Sequence, residues 1–282
     1  MITKNEMQLK ALIKNKALKT GITPQAALQT YCLERLLDRL SQSDKKDCFI
    51  IKGGFLISSM IGIEHRSTMD IDTTIKNFTL TKESITSIFI DICKINLDDQ
   101  LIFILDRVEE IRETDDYPGI RVYLFAEYGK LKTPLTVDVT TGDSIVPSEI
   151  KYTYSCVFDE KKILILAYPL ENVLAEKLET IISRGIVNTR PRDFYDIHIL
   201  YSLKKSEINF NDLKLALSAT ATKRGSNKLI EDFEKILLSI KNDNNQNDYW
   251  KKYSSKNNFA KGISFEQVIN SAMSLFLEIF SK

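Results

Sequence analysis

The apolar residues of "TPQAALQTYCLERLLDRLSQS" recur every three or four positions, with Thr23 placed to cap and Pro24 at the first helical position, so residues 23–43 predict a helix. The N-terminal "MITKNEMQLKALIKNKALKTG" has the same spacing among lysines. The period then shortens. "CFIIKGG" is an apolar run closed by Gly53 and Gly54, and "FLISSMIG" reads as a short helix ended by Gly62. "RSTMDIDTTI" alternates as a strand does, "TKESITSIFIDICKI" is a helix with Thr81 as its cap, and "LIFILDRVEEI", "IRVYLFAEY" and "LTVDVTTGD" read as strands.

Strand signals dominate to about residue 168. Beyond "ILILAYP" the segments are mainly helical: "LENVLAEKLETIISRG", "PRDFYDIHILYSLKK", "NFNDLKLALSATATKRG" and "FEQVINSAMSLFLEIFSK". The expectation is an α/β (α+β) chain, with a core domain over 1–168 built on a mixed sheet and a mainly helical domain over 169–282. "KNDNNQNDYWKKYSSKNN" is polar and reads as an exposed connection, in which Tyr249, Trp250 and Tyr253 could face RNA.

Composition narrows the class. With 43% apolar and 27% charged residues among 282, the chain is globular, and a net charge of +1 leaves no global field toward nucleic acid or membrane. Four scattered cysteines without C-x-x-C spacing and two histidines argue against a zinc site and a disulfide framework, and favour reduced thiols in a cytoplasm. No secretion signal and no apolar run near the ~20 residues of a bilayer span is present, so no membrane role is expected.

Chemistry concentrates in "KGGFLISSMIGIEHRSTMDID". On a strand, Asp70 and Asp72 point the same way, and two like charges that close call for a cation. Gly53 and Gly54 would let backbone approach a phosphate at the N-terminus of the following helix, against Mg²⁺ held by Asp70 and Asp72, with Mn²⁺ as the alternative ion. Arg66 and Thr68 would share the face of both aspartates. In-line phosphoryl chemistry calls for a third carboxylate, and Asp138, mid-strand in "LTVDVTTGD", is the candidate metal ligand and activator of the acceptor hydroxyl; Asp143 beside Gly142 reads as a turn residue. On the helix over 171–184, Lys177, Thr180 and Arg184 share one side, where Lys177 and Arg184 could bind triphosphate oxygens, or could simply form a solvated face with an ion pair. Asp193 follows a cap at Thr189; Asp196 shares its face, and Arg192 could pair with either. His65 and His198 have weaker cases.

"IIKGGFLISSMIGIEHRSTMDIDTTI", "LTVDV" and "LENVLAEKLETIISRGIVNTRPRDFYDIHIL", spanning residues 48–200, resemble the AbiEii/AbiGii-type nucleotidyltransferase toxins of the DNA polymerase β-like superfamily. Phe55 stands where that superfamily commonly has a small residue, which leaves backbone rather than a hydroxyl to meet phosphate. The resemblance implies a polymerase β-like core, Mg²⁺-dependent transfer from a nucleoside triphosphate to RNA, with tRNA ends as the acceptor of several members, and a place in a type IV toxin–antitoxin or abortive-infection system. It implies metal carboxylates at Asp70 and Asp72 and catalytic roles for Lys177 and Asp193. It also implies a separately encoded antitoxin that forms no stable complex with it; a monomer is expected. The nucleotide would then lie between the Gly53–Gly54 turn and Lys177/Arg184. Transfer to a protein or small molecule, and a non-catalytic nucleotide sensor, stay open on the residues alone.

Overall fold

The computed structural model describes residues 3–111 and 119–281. The chain divides into two compact units, Met1–Asp143 with Ile150–Ala167, and Ser144–Glu149 with Tyr168–Lys282.

The first unit runs α1 (Glu6–Thr20), α2 (Pro24–Gln42), β1 (Phe49–Lys52), α3 (Gly53–Ile61), β2 (Asp70–Ile75), α4 (Lys82–Lys94), β3 (Ile102–Ile111), β4 (Gly119–Tyr128), β5 (Leu131–Thr141), β6 (Ile150–Ser155) and β7 (Lys162–Ala167). The caps follow the sequence. Thr23 accepts from the Ala26 amide, and Thr81 forms a reciprocal capping box with Ser84. The seven strands form one mixed sheet in the order β3-β4-β5-β2-β1-β7-β6. β2 runs parallel to β5, and β1 runs parallel to β7 but antiparallel to β2.

Period-two alternation separates the sheet's two faces. Ile71, Val137, Val122 and Val108 are register partners across four strands, and all are buried. Leu36, Leu37 and Leu40 of α2 and Phe89 and Ile92 of α4 meet this face beside Ile71 and Val137. Each such side chain contributes about 1.5–3 kcal/mol of burial. The carboxylates of β2 and β5 are on the opposite face. Phe55, the departure from the small residue common in the superfamily, is buried and stacks on Tyr154 with ring centroids 5.2 Å apart.

The second unit comprises α5 (Leu170–Arg184), α6 (Pro191–Lys204), α7 (Phe210–Lys223), α8 (Asn227–Glu231), α9 (Phe233–Asn242), α10 (Asn244–Lys256) and α11 (Phe265–Phe280). Its core includes Leu174, Leu178, Ile181, Phe194, Ile197, Leu217 and Phe276. Residues Ser144–Glu149 join it through Asn172, whose side chain donates to the Ser144 carbonyl and accepts from the Val146 amide, both at 3.2 Å. An α+β chain with a mixed sheet and a helical C-terminal region is therefore what the pattern predicts and what the chain adopts.

Two local expectations fail. "KNDNNQNDYWKKYSSKNN" is not a loop: Asp243 caps α10, and Trp250 is buried, donating from Nε1 to the Ile263 carbonyl at 2.9 Å. An amphipathic helix that buries one large aromatic carries too few apolar positions to register as periodic. Thr189 does not cap α6. Arg190 occupies the cap position, Pro191 begins the helix, and the Asn188 side chain accepts from the Arg190 amide at 2.9 Å.

Candidate active site

Strand β1 ends at Lys52, and the chain turns directly into α3. Gly53 has φ +66°, a left-handed conformation that costs an L side chain about 1–2 kcal/mol. Its second constraint is space. A Cβ on Gly53 would lie 2.0 Å from Asp72 Oδ2, and one on Gly54 would lie 3.0 Å from Thr68 Oγ1 and 3.1 Å from an Arg66 guanidinium nitrogen. The glycine turn is thus seated against Asp72, Thr68 and Arg66. Lys52 is the cap residue of α3, and no side chain caps that terminus, so it presents the positive end of the helix beside the carboxylate.

Strand β2 begins only at Asp70, so Arg66 and Thr68 do not share a strand face with the aspartates as alternation suggested. They reach the site from the preceding segment. Thr68 Oγ1 donates to Asp70 Oδ1 at 2.8 Å, and the buried Arg66 donates to the Ser67 carbonyl.

The sheet register supplies what the sequence could not. Lys52 pairs with Asp72, Asp72 with Asp138, Asp138 with Arg121, and Arg121 with Glu109, so these five side chains form one row across five strands. Two adjacent carboxylates are bracketed by two cations. Arg121 forks onto Asp138, donating from Nε to Oδ1 at 2.6 Å and from Nη2 to Oδ2 at 2.7 Å; this hydrogen bonding holds the guanidinium pKa above its ordinary value. Lys52 pairs with Asp143, which also accepts from Thr140 Oγ1 at 3.2 Å. Asp143 is an ion-pair partner rather than only a turn residue. Sequence reading missed Lys52 and Arg121. Lys52 had a visible signal, a lysine directly before Gly-Gly, whereas Arg121 had none without the register.

Among the described residues, no three or more His, Cys, Asp or Glu side chains are gathered to hold a metal ion. The donor chemistry still fits a hard divalent cation at Asp70 and Asp72, half-buried carboxylates two residues apart. Asp138 lies beside Asp72 in register, but both of its oxygens are engaged by Arg121.

In the second unit, Lys177 on α5 lies 2.6 Å from Asp193 and 3.0 Å from Asp196, both on α6 and fully buried. Arg190, not Arg192, completes the cluster at 3.1 Å from Asp193; Arg192 is exposed. Thr180 accepts from Arg224 at 3.3 Å, and Arg184 is exposed at the end of α5. Burial lowers the pKa of His198, whose Nδ1 lies 2.7 Å from Ser271 Oγ.

The family model for the nucleotidyl transferase AbiEii toxin of type IV toxin–antitoxin systems matches residues 35–271. This chain belongs to that family. Both the carboxylate strand and the Lys177–Asp193 pair of the AbiEii-type toxin lie inside the matched segment. Two solved Helicobacter pylori structures share its fold. One, described as a candidate nucleotidyltransferase, is 16% identical with a TM-score of 0.50, over 92% of this chain and 97% of that one. The other, JHP933, is 15% identical with a TM-score of 0.50, over 91% and 94%. No curated protein matches the chain. Among the described residues, no helix is long and apolar enough to cross a membrane.

Proposed function

We propose that this AbiEii-type nucleotidyltransferase toxin transfers a nucleoside monophosphate from a nucleoside triphosphate to an RNA end, with tRNA as the favoured acceptor and Mg²⁺ as the ion. One observation carries the reading: the Gly53 turn is seated so closely on Asp72 that a single methyl group would collide with the carboxylate. A triphosphate lying over that turn meets α3 backbone on one side and the aspartates on the other.

Asp70 and Asp72 are the residues to hold the ion. Mg²⁺, when bound, supplies positive charge to the triphosphate oxygens. Thr68 orients Asp70 through its 2.8 Å hydrogen bond. The acceptor hydroxyl attacks the α-phosphorus, the bond from that phosphorus to the bridging oxygen breaks, pyrophosphate leaves, and Asp138 would take the hydroxyl proton once Arg121 no longer engages both of its oxygens. Lys177 and Asp193 act as a pair within their own unit. The toxin's resemblance to RNA-modifying family members favours RNA as the acceptor. The type IV family implies a separate antitoxin partner.

The test is incubation with each α-labelled nucleoside triphosphate, Mg²⁺ and total cellular RNA, beside Asp72→Asn. Label on an RNA band that the variant loses supports the proposal and names the base. Label on protein, or on neither, contradicts the RNA assignment.

A further inference from the structure

The third carboxylate is in the right place and wrongly occupied for a metal ligand. Register puts Asp138 directly beside Asp72, one strand spacing of about 4.8 Å away, with Asp70 on the same face. Two like charges on neighbouring strands call for counter-charge. Arg121 provides it. Its fork takes both Asp138 oxygens, at 2.6 and 2.7 Å, so a cation could claim Asp138 only by breaking two charge-assisted hydrogen bonds.

The two partners differ in freedom. The Asp138 side chain is 9% exposed, whereas that of Arg121 is 38% exposed. The carboxylate is fixed in mid-strand, and the guanidinium at the end of a long, half-open side chain is the part that can leave. A phosphate offers a guanidinium the same planar pair of acceptors that a carboxylate does. An arriving triphosphate can therefore replace Asp138 as the partner of Arg121 while a second cation replaces Arg121 as the partner of Asp138.

We propose that Arg121 is a positioning residue that withholds Asp138 from metal in the resting protein, so that the site takes one divalent cation until an anionic substrate draws the guanidinium away. The inference rests on the reading that Asp70 and Asp72 hold the first ion. It couples completion of the carboxylate set to the arrival of substrate, which limits wasteful hydrolysis by a half-assembled site.

The experiment counts Mn²⁺ bound per chain, without nucleotide, from the electron paramagnetic resonance signal of the free ion. Wild type should bind one ion and Asp72→Asn should lose it. Arg121→Gln should bind two, the second disappearing again in the Arg121→Gln/Asp138→Asn double variant. Mn²⁺ should also raise the thermal midpoint of Arg121→Gln by more than that of wild type, because the ion then stabilises a carboxylate that has lost its partner. Should Arg121→Gln fail to fold, Arg121→Lys, which keeps the charge without the fork, should take the second ion at least tenfold more tightly than wild type. If neither variant changes the count or affinity while Asp72→Asn abolishes the first ion, the inference is overturned and the metal reading stands. A count that Asp72→Asn leaves unchanged overturns both.

Discussion

Gly53 carries two demands at once, a positive φ and the absence of any atom between the chain and Asp72. Gly21 separates them: its φ is +71°, yet a Cβ there would meet nothing within 4 Å. Gly21→Ala should therefore cost only the strain of the left-handed region, about 1–2 kcal/mol of stability, and leave transfer intact. Gly53→Ala should cost at least as much stability and also reduce transfer at least tenfold, because Asp72 must move. Equal activities of the two variants below their melting points would show that the turn has no part in the chemistry. Glu34 makes a different demand. It is fully buried on α2, Oε1 accepts from Tyr154 at 2.9 Å and from the Val157 amide at 2.6 Å, and burial pushes its pKa from 4.5 up to about 7. The folded protein thus keeps a proton that the unfolded chain releases near pH 4.5, so stability falls as pH rises toward 7 and is level above it. Up to about 3 kcal/mol is at stake. Glu34→Gln should flatten the urea-unfolding profile between pH 5 and 8 by an amount of that order. Profiles that run parallel would remove Glu34 from the account.

At the scale of elements, what was legible depended on whether the signal was local. The caps at Thr23 and Thr81, the strand at Asp70–Ile75 and the Gly-Gly junction are written within a few neighbouring residues, and the structure has them. The Arg121–Asp138 fork is a property of strand pairing, which depends on partners 17 positions apart and leaves no trace in either segment alone. Helix α2 shows the same limit from the other side: its apolar spacing predicts the helix but not that Glu34, Arg35, Asp38 and Arg39 are all buried, Arg39 bonding Asp99 at 2.7 and 2.8 Å. The α5–α6 pair extends the point to function. Removing Lys177 would take the ammonium from two buried carboxylates, Asp193 and Asp196, so Lys177→Ala should destabilise the protein by about 3–5 kcal/mol in urea unfolding. An unchanged midpoint would return Lys177 to the solvated face that its helical spacing alone suggests. Trp250→Ala should cost a similar ~3–5 kcal/mol through the cavity it leaves, with RNA labelling unaffected below the melting point. Loss of labelling without loss of stability would restore the RNA-facing reading of α10.

The whole molecule joins a near-neutral chain to a strongly patterned sheet face. A net charge of +1 says nothing about where charge lies, and the row Lys52, Asp72, Asp138, Arg121 and Glu109 places five basic and acidic side chains on one sheet face in alternating blocks. Such a row is stable without ligand because the cations bracket the acids, and it is responsive because an incoming anion competes for the same cations. Family membership gives the class of reaction; that Asp72 and Asp138 of this row carry it is the proposal. The central claim is that this surface moves a nucleotidyl group and does so through Asp72. The most direct measurement supplies purified protein and RNA with the preferred nucleoside triphosphate labelled at either the α- or the γ-phosphate. The account predicts that α-label enters RNA while γ-label leaves as pyrophosphate, and that Asp72→Asn lowers both at least about a thousandfold, equivalent to ~4 kcal/mol of transition-state stabilisation. Entry of γ-label into the acceptor, or undiminished α-transfer by the variant, would contradict it.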